Sequence, residues 1–181
     1  MTKDQTRNNL LQTRNHIANK RKHSVNICNK VVDYISKNHP NSKVASFVSL
    51  PNEIDTTVIN KSTPTYLPIV HPYRKHSLWF VKDSEKYYFN KYKIKEPIHK
   101  ITDIVAPWEL DIIIVPVVGF NQDKYRMGMG GGFYDYSLSF KKDTILPLTI
   151  GIAFDEQQNN DIIVDSHDIQ LDLIITQTRI F

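Results

Sequence analysis

Glycine is scarce in this chain, with six in 181 residues, so where it stands is informative. Gly128, Gly130, Gly131 and Gly132 fall within five positions. A chain this poor in glycine concentrates it where the backbone must take positive φ or let something come close. Cysteine is scarcer still. Cys28 stands alone, which excludes an internal disulfide and any cysteine-built metal cage. No apolar run approaches the roughly 20 residues of a membrane-spanning helix. The opening Met-Thr-Lys-Asp-Gln-Thr is too polar for a signal peptide, so the cytoplasm is the expected compartment. Interior linkers, internal repeats and low-complexity tracts are also missing, and one domain over residues 1–181 is expected.

Acidic charge is sparse at the start. Residues 1–43 carry nine Lys or Arg against Asp4 and Asp33, a surplus of +7 that leaves −3 for the remainder of a chain whose net charge is +4. Such a segment can mean nucleic acid, an anionic small ligand or a solvated helix face. Lys20-Arg21-Lys22 has no interleaved aromatics to stack on bases. A solvated face accounts for most of these charges.

Residues 3–36 lack proline and glycine, and Leu10, Ile17, Val25, Cys28, Val31 and Ile35 recur at helical spacing, which predicts one or two amphipathic helices ending before Asn38. Short apolar, β-branched runs follow at 44–50, 65–70, 77–81, 110–118, 148–154 and 171–176. Pro68 would end the second of these or push it to an edge. Asp55 can cap a short helix running to Asn60. Apolar runs separated by helical or long connections predict an α/β fold, a single layered domain around a mainly parallel sheet with flanking helices and an N-terminal helical segment.

The glycine cluster stands between the apolar run at 110–118 and a helix expected from Phe133, whose first turn carries Asp135. Strand, glycine loop and helix start form an anion site, because unpaired N–H groups face the ligand and no side chain keeps it away. A mobile surface loop is the plain competitor, but such a loop would be padded with Ser, Asn or Lys rather than flanked by Arg126, Tyr134 and Asp135. A P-loop would need Lys-Ser or Lys-Thr where Phe133-Tyr134 stands, and the dinucleotide fingerprint would need a third glycine at Phe133. Neither known loop fits.

Another pattern does. Gly119-Phe120, Arg126-Met127-Gly128 and Gly130-Gly131-Gly132-Phe133-Tyr134-Asp135 with Leu138 resemble the signature of the 5-formyltetrahydrofolate cyclo-ligase family. Lys3-Asp-Gln-Thr-Arg7 is similar to that family's N-terminal element, with Thr6 in place of the usual Leu. Ser46 to Ser49 with Glu53-Ile-Asp-Thr, Glu96-Pro97, and His167-Asp168 with Leu171-Asp172 extend the likeness along almost the whole chain. Tyr125 and Lys93 stand where glycines are usual, and Gln177 where a Glu is common.

The resemblance implies ATP- and Mg²⁺-dependent conversion of 5-formyltetrahydrofolate to 5,10-methenyltetrahydrofolate. It implies an ATP site of Lys3, Arg7, Arg126, Met127, Gly128, Met129, Gly130, Gly131, Gly132, Phe133 and Tyr134, with Arg126 also catalytic. It further implies folate contacts from Val48 and Glu53 and magnesium held by Asp135 and Asp168. The partners are then small molecules only, with neither nucleic acid nor membrane, and a monomer is expected. Each residue also has a plainer reading. Arg126 can pair with a nearby acid, Asp135 can cap a helix, Asp168 and Glu53 can be turn residues, and Tyr134 can be core. Two other functions compete: a related α/β enzyme acting on a sugar phosphate or coenzyme A ester, and a basic nucleic-acid-binding module. The first lacks an evident base or nucleophile of its own. The second leaves the glycine loop unexplained.

Overall fold

A computed structural model describes all 181 residues. Helix α1 (Lys3–Asn15) starts at Thr2, whose hydroxyl accepts the Gln5 N–H while Gln5 Oε1 accepts the Thr2 N–H. This reciprocal cap satisfies donors that a helix start otherwise leaves open. Asn19, at φ 52°, breaks the helical path, and α2 (Lys20–Asn38) follows. Asparagine enters the left-handed region more readily than most residues. The proline-free opening thus forms two helices, and the second runs through Asn38 instead of ending before it.

The remaining elements are β1 (Val44–Ala45), α3 (Thr57–Ser62), β2 (Thr65–Val70), β3 (Leu78–Lys82), β4 (Tyr87–Phe89), β5 (Lys95–Pro97) and β6 (Ile104–Val105). After them come β7 (Ile112–Pro116), β8 (Gly119–Phe120), β9 (Arg126–Met127), α4 (Phe133–Ser137), β10 (Leu148–Ile152) and β11 (Leu173–Ile175). The N-cap of α3 is Thr56, not Asp55, and the helix runs to Ser62 rather than Asn60; Asp55, one residue before the cap, takes the Thr57 N–H on Oδ1 at 3.0 Å.

Seven strands form one sheet in the order β11-β10-β7-β1-β2-β3-β6. The five from β11 to β2 are mutually parallel, and β3 and β6 extend one edge antiparallel. The parallel strands run outward in both directions from β1, to β2 on one side and to β7, β10 and β11 on the other. Connections therefore leave in opposite directions at the β1/β7 boundary, opening a crevice beyond the strands' carboxyl ends.

Side chains of β7 alternate between two cores. Ile112 and Ile114 face α2 and α3 with Ile27, Val31 and Ile59, while Ile113 and Val115 face Phe120, Leu138 and Leu171. Both faces are covered, which is why the strand reads as an unbroken apolar run.

Pro68 neither ends β2 nor sits on the outer edge. The Tyr66 carbonyl accepts the Ser46 N–H on the β1 side, and Pro68, two residues on, faces the same way. Regular pairing with β1 stops at Ala45, so the missing N–H falls where no ladder partner waits. At Val70, again on that side, the Glu96 carboxylate takes the N–H at 2.9 Å. Glu96 is buried and also accepts from Tyr88 Oη and Asn90 Nδ2, tying the β4–β5 hairpin to the sheet.

The glycine cluster does not follow β7 directly. A small hairpin of β8 and β9 intervenes and puts Arg126 on its returning strand. Helix α4 is five residues long, shorter than the run to Phe140 expected from sequence, and continues as a 3₁₀ turn, Ser139–Lys142.

Replacing Glu96 with alanine removes three acceptor contacts from a buried position. Glu96→Ala is expected to cost about 1–3 kcal/mol and to speed amide exchange selectively across residues 87–97. Exchange rising equally in β7 and β10 would show instead that the hairpin is not a separable unit.

Candidate active site

Four residues of α1, Lys3, Arg7, Leu10 and Arg14, recur at helical spacing on one face, and that face lies over the crevice. Lys3 Nζ donates to Asp168 Oδ2 at 2.7 Å and Asp165 Oδ2 at 2.8 Å. Burial pulls its pKa down, but these two carboxylates more than reverse that and leave it raised. Arg7 Nε donates to the Gly128 carbonyl at 3.0 Å, and Arg7 also pairs with Asp4. Leu10 joins Val118, Met127 and Ile162 in a small apolar cluster. Arg14 is buried with its Nη1 3.7 Å from Glu53 Oε1.

Above this face runs the glycine loop. Positive φ occurs at Gly130 (91°) and Gly132 (66°), the positions where a β-carbon would be strained. None of the N–H groups from Gly128 to Gly132 donates a hydrogen bond within the chain. The loop's carbonyls, by contrast, are held: Gly128 by Arg7, and Gly131 by His76 Nδ1 at 2.7 Å. Fixed carbonyls and unspent N–H groups suit an anion. Phe133 closes the loop against His76 and Tyr92, with ring centroids 5.5 and 5.7 Å away.

Arg126 is buried, and its Nη1 donates to Asp135 Oδ1 at 2.9 Å. The same carboxylate oxygen accepts the Ile169 N–H at 3.1 Å, which fastens α4 to the segment containing Asp168. Asp135 Oδ2 and Asp168 Oδ1 take part in no hydrogen bond, and His167 Nε2 stands 3.8 Å from the latter. Tyr134 lies under the loop, with the Arg126 guanidinium 5.9 Å from its ring centroid. Burial and the nearby Glu53 raise its pKa and Arg126 opposes them, leaving it well above the usual phenol range.

At the other end, Val48 is half-buried in the extended chain beyond β1. Glu53 Oε2 accepts the Leu50 N–H at 2.8 Å. Burial raises the Glu53 pKa, and the Leu50 N–H and Arg14 hold it back. An open cleft of about 840 Å³ takes in Asp165 and Asp168 at this end of the site and is also lined by Lys124, Lys141 and Lys142. Two of those lysines are spent, Lys141 on Asp172 and Lys142 on the Ser166 carbonyl. Free anion donors are concentrated at the glycine loop rather than there.

The model of the 5-formyltetrahydrofolate cyclo-ligase family matches residues 1–177. The chain belongs to that family. It is 32% identical over 146 residues to the 5-formyltetrahydrofolate cyclo-ligase of Escherichia coli K12, covering 76% of this chain and 79% of that one. It is 32% identical over 136 residues to the Haemophilus influenzae cyclo-ligase, covering 71% and 72%. Among solved structures, a 5,10-methenyltetrahydrofolate synthetase from Mycoplasma pneumoniae superposes with a TM-score of 0.73 at 26% identity, covering 98% of this chain and 99% of that one. The fold and the standing of this cyclo-ligase family member as a folate one-carbon ligase follow.

The fold brings most of the residues singled out in the sequence to one crevice. Lys3, Arg7, the glycine loop, Phe133, Tyr134, Arg126 and Asp135 form one connected group, joined to Asp168 through Lys3 and Ile169. Val48 and Glu53 come from the loop beyond β1, across the crevice. Met127 points its side chain into the Leu10 cluster, whereas Met129 is exposed. Three contacts escaped the sequence reading: Arg14, His76 and Tyr92. Arg14 was accessible there, being seven residues beyond Arg7 on the same helix face. His76 and Tyr92 lie in turns whose aim no periodicity encodes.

Removing the Asp135 carboxylate would strand a buried guanidinium. Asp135→Ala is expected to lower stability by about 3–5 kcal/mol in urea unfolding. Asp135→Asn, whose amide oxygen can still accept from Arg126 and Ile169, should cost clearly less. An equally large cost for both would mean that the charge rather than the acceptor is what matters, and two small costs would mean that the ion pair contributes little.

Proposed function

We propose that this chain closes 5-formyltetrahydrofolate to 5,10-methenyltetrahydrofolate, consuming ATP and releasing ADP and phosphate. The observation that carries the reading is the glycine loop: five consecutive N–H groups without partners, fixed carbonyls behind them, and Arg7 and Arg126 alongside. Family membership carries the choice of substrate.

The chemical problem is a formyl oxygen that leaves poorly from an amide-like carbon. Transfer of the γ-phosphoryl group to that oxygen makes it a phosphate leaving group. N10 of the folate then attacks the carbon, and phosphate departs as the five-membered ring closes. Such chemistry asks the protein for positioning and charge neutralisation. The N–H groups of Gly128, Met129, Gly130, Gly131 and Gly132 cradle the triphosphate, the backbone of Met127 leads into the cradle, and Lys3 and Arg7 neutralise it. Arg126 spends only Nη1 on protein partners and keeps its other donors for the phosphoryl group in transfer. Phe133 and Tyr134 wall the pocket, and Val48 and Glu53 meet the folate.

Asp135 and Asp168 fit a hard divalent cation, because each has one carboxylate oxygen free of hydrogen bonds, and Mg²⁺ takes oxygen ligands and commonly one or two carboxylates beside phosphate. Bound there, Mg²⁺ would neutralise charge on the phosphate oxygens. Lys3 already balances Asp168 and would be released to the triphosphate as that pairing is replaced.

The direct test is methenyl absorbance appearing only when ATP, Mg²⁺ and 5-formyltetrahydrofolate are all present; ATP use indifferent to the folate would overturn the assignment. Two variants probe the cradle and Arg126. Gly130→Val places a branched side chain at φ 91° with its β-carbon 3.4 Å from the Arg7 guanidinium. Calorimetry should find ATP affinity sharply reduced and folate binding less affected. Arg126→Lys keeps the charge and loses the planar fork, which is expected to cost about ten- to a hundredfold. A loss confined to kcat identifies a grip on the transferring group, and a loss confined to KM for ATP identifies an anchor.

A further inference from the structure

We infer that Arg14 is a positioning residue for the folate end of the site, holding the Glu53 carboxylate as a fixed, charged acceptor. The inference rests on the reading that Glu53 meets the folate. Arg14 is 5% exposed, and the Glu53 side chain 7%. Two buried charges are rarely the most stable filling for such a space. Apolar side chains of similar size often do as well, so a buried pair calls for another reason.

The geometry supplies one. Nη1 of Arg14 stands 3.7 Å from Glu53 Oε1, a charge contact too long for a hydrogen bond. Oε2 is fixed by the Leu50 N–H, so Oε1 keeps its accepting capacity. Arg14 Nε is buried without an acceptor. A pair arranged for stability alone would close these open positions. This one holds an anion in place and leaves an acceptor unspent.

The surroundings agree. Facing the carboxylate are Arg14 from α1 and Tyr134 from α4, with Arg126 behind the Tyr134 ring. Lys20, in the first turn of α2, lies beyond Arg14 and donates to Asn52 Oδ1 at 3.4 Å. Tyr134 stays a neutral phenol near neutrality, so Glu53 is the group in this set that changes charge on the acid side. Burial favours its protonated form, and Arg14 favours the ionised one. Losing Arg14 therefore raises the Glu53 pKa further, and less of the acceptor is ionised at any given acidic pH.

The experiment compares Arg14→Met, Arg14→Gln, Arg14→Lys and Glu53→Gln in the full chain, with KM for each substrate and kcat/KM for the folate against pH. Arg14→Met and Arg14→Gln are expected to raise folate KM about ten- to a hundredfold, to leave KM for ATP within about twofold, and to move the acid limb of the folate profile to higher pH. Arg14→Lys should recover much of the folate KM, since it restores the charge. The glutamine variant carries the test if the methionine variant does not fold. An unmoved acid limb with unchanged folate KM overturns the inference, as does an equal rise in both KM values, which marks a merely structural arginine. Glu53→Gln distinguishes the two readings. A large effect there beside silent Arg14 variants sinks the positioning role alone, and no effect there removes the Glu53 assignment together with it.

Discussion

The site depends on how closely α1 lies against the loops beyond β7. Leu10 rests on Gly119, and a β-carbon there would come within 2.4 Å of Leu10 Cδ1. Val118, Met127 and Ile162 complete the seat from the connections that follow β7 and β10. Burying such a side chain contributes roughly 1.5–3 kcal/mol, and that contact sets the height of the helix. Once Leu10 is seated, the helical repeat determines the rest. Arg7 falls at the glycine loop, Lys3 a turn earlier at Asp168, and Arg14 two turns later at Glu53. One apolar contact thereby spaces three cations along the crevice, and a glycine outside the glycine loop is needed for that geometry.

Those cations do not wait unpaired. Lys3 holds Asp165 and Asp168, Arg7 holds Asp4 and a loop carbonyl, and Arg126 holds Asp135. Unpaired charges at partly or fully buried positions would be costly, and the carboxylates of the crevice balance them. In the proposed function, binding a nucleotide is then an exchange of partners rather than a simple attraction. The pairs differ in how easily they exchange. Lys3 and Asp165 are partly exposed, so solvent screens their contact and yielding costs little. Arg126–Asp135 is buried and tied to the Ile169 N–H, so it persists while the remaining guanidinium donors turn to a ligand. Arg14–Glu53 is also buried, but its long separation leaves an acceptor open.

Much of this was legible in the sequence because much of it is local. The apolar runs gave the parallel strands, since strands covered on both faces need no alternation. The glycine cluster reads as an anion loop on its own composition, and its N–H groups are left without partners in the chain. Where the reading slipped, the cause lay in a neighbour's position. Pro68 reads as ending its strand or pushing it to an edge, yet β1 is so short that the side it faces has no ladder to break. The glycine loop was read as leaving β7 directly, but β8 and β9 form a hairpin that carries Arg126 inward, a pairing fixed by partners rather than by pattern. The charges of the first 43 residues were read mainly as a solvated face. That holds for most of them, Arg21 and Lys22 among the exposed; Lys3 and Arg7 are set apart by the family resemblance, and Arg14 is the one that turns into the crevice with only its helical spacing from Arg7 to mark it.

The β4–β5 hairpin has the weakest sequence signal and a consequence for the chemistry. It is charged and aromatic, with Tyr87, Tyr88, Phe89 and Tyr92 all exposed, and would pass for surface decoration. Yet Tyr92 meets Phe133 edge-on, and His76 holds the Gly131 carbonyl from the turn before β3. Together they roof one side of the glycine loop. In the proposed reaction the phosphorylated intermediate can lose its phosphate to water as well as to N10, so excluding water decides whether ATP is used productively. The roof is held by few bonds, and Glu96 supplies the buried ones. In that proposal a buried carboxylate with three acceptor contacts acts from a distance, by tying the hairpin that carries Tyr92 to β2 and so keeping the aromatic wall over the loop.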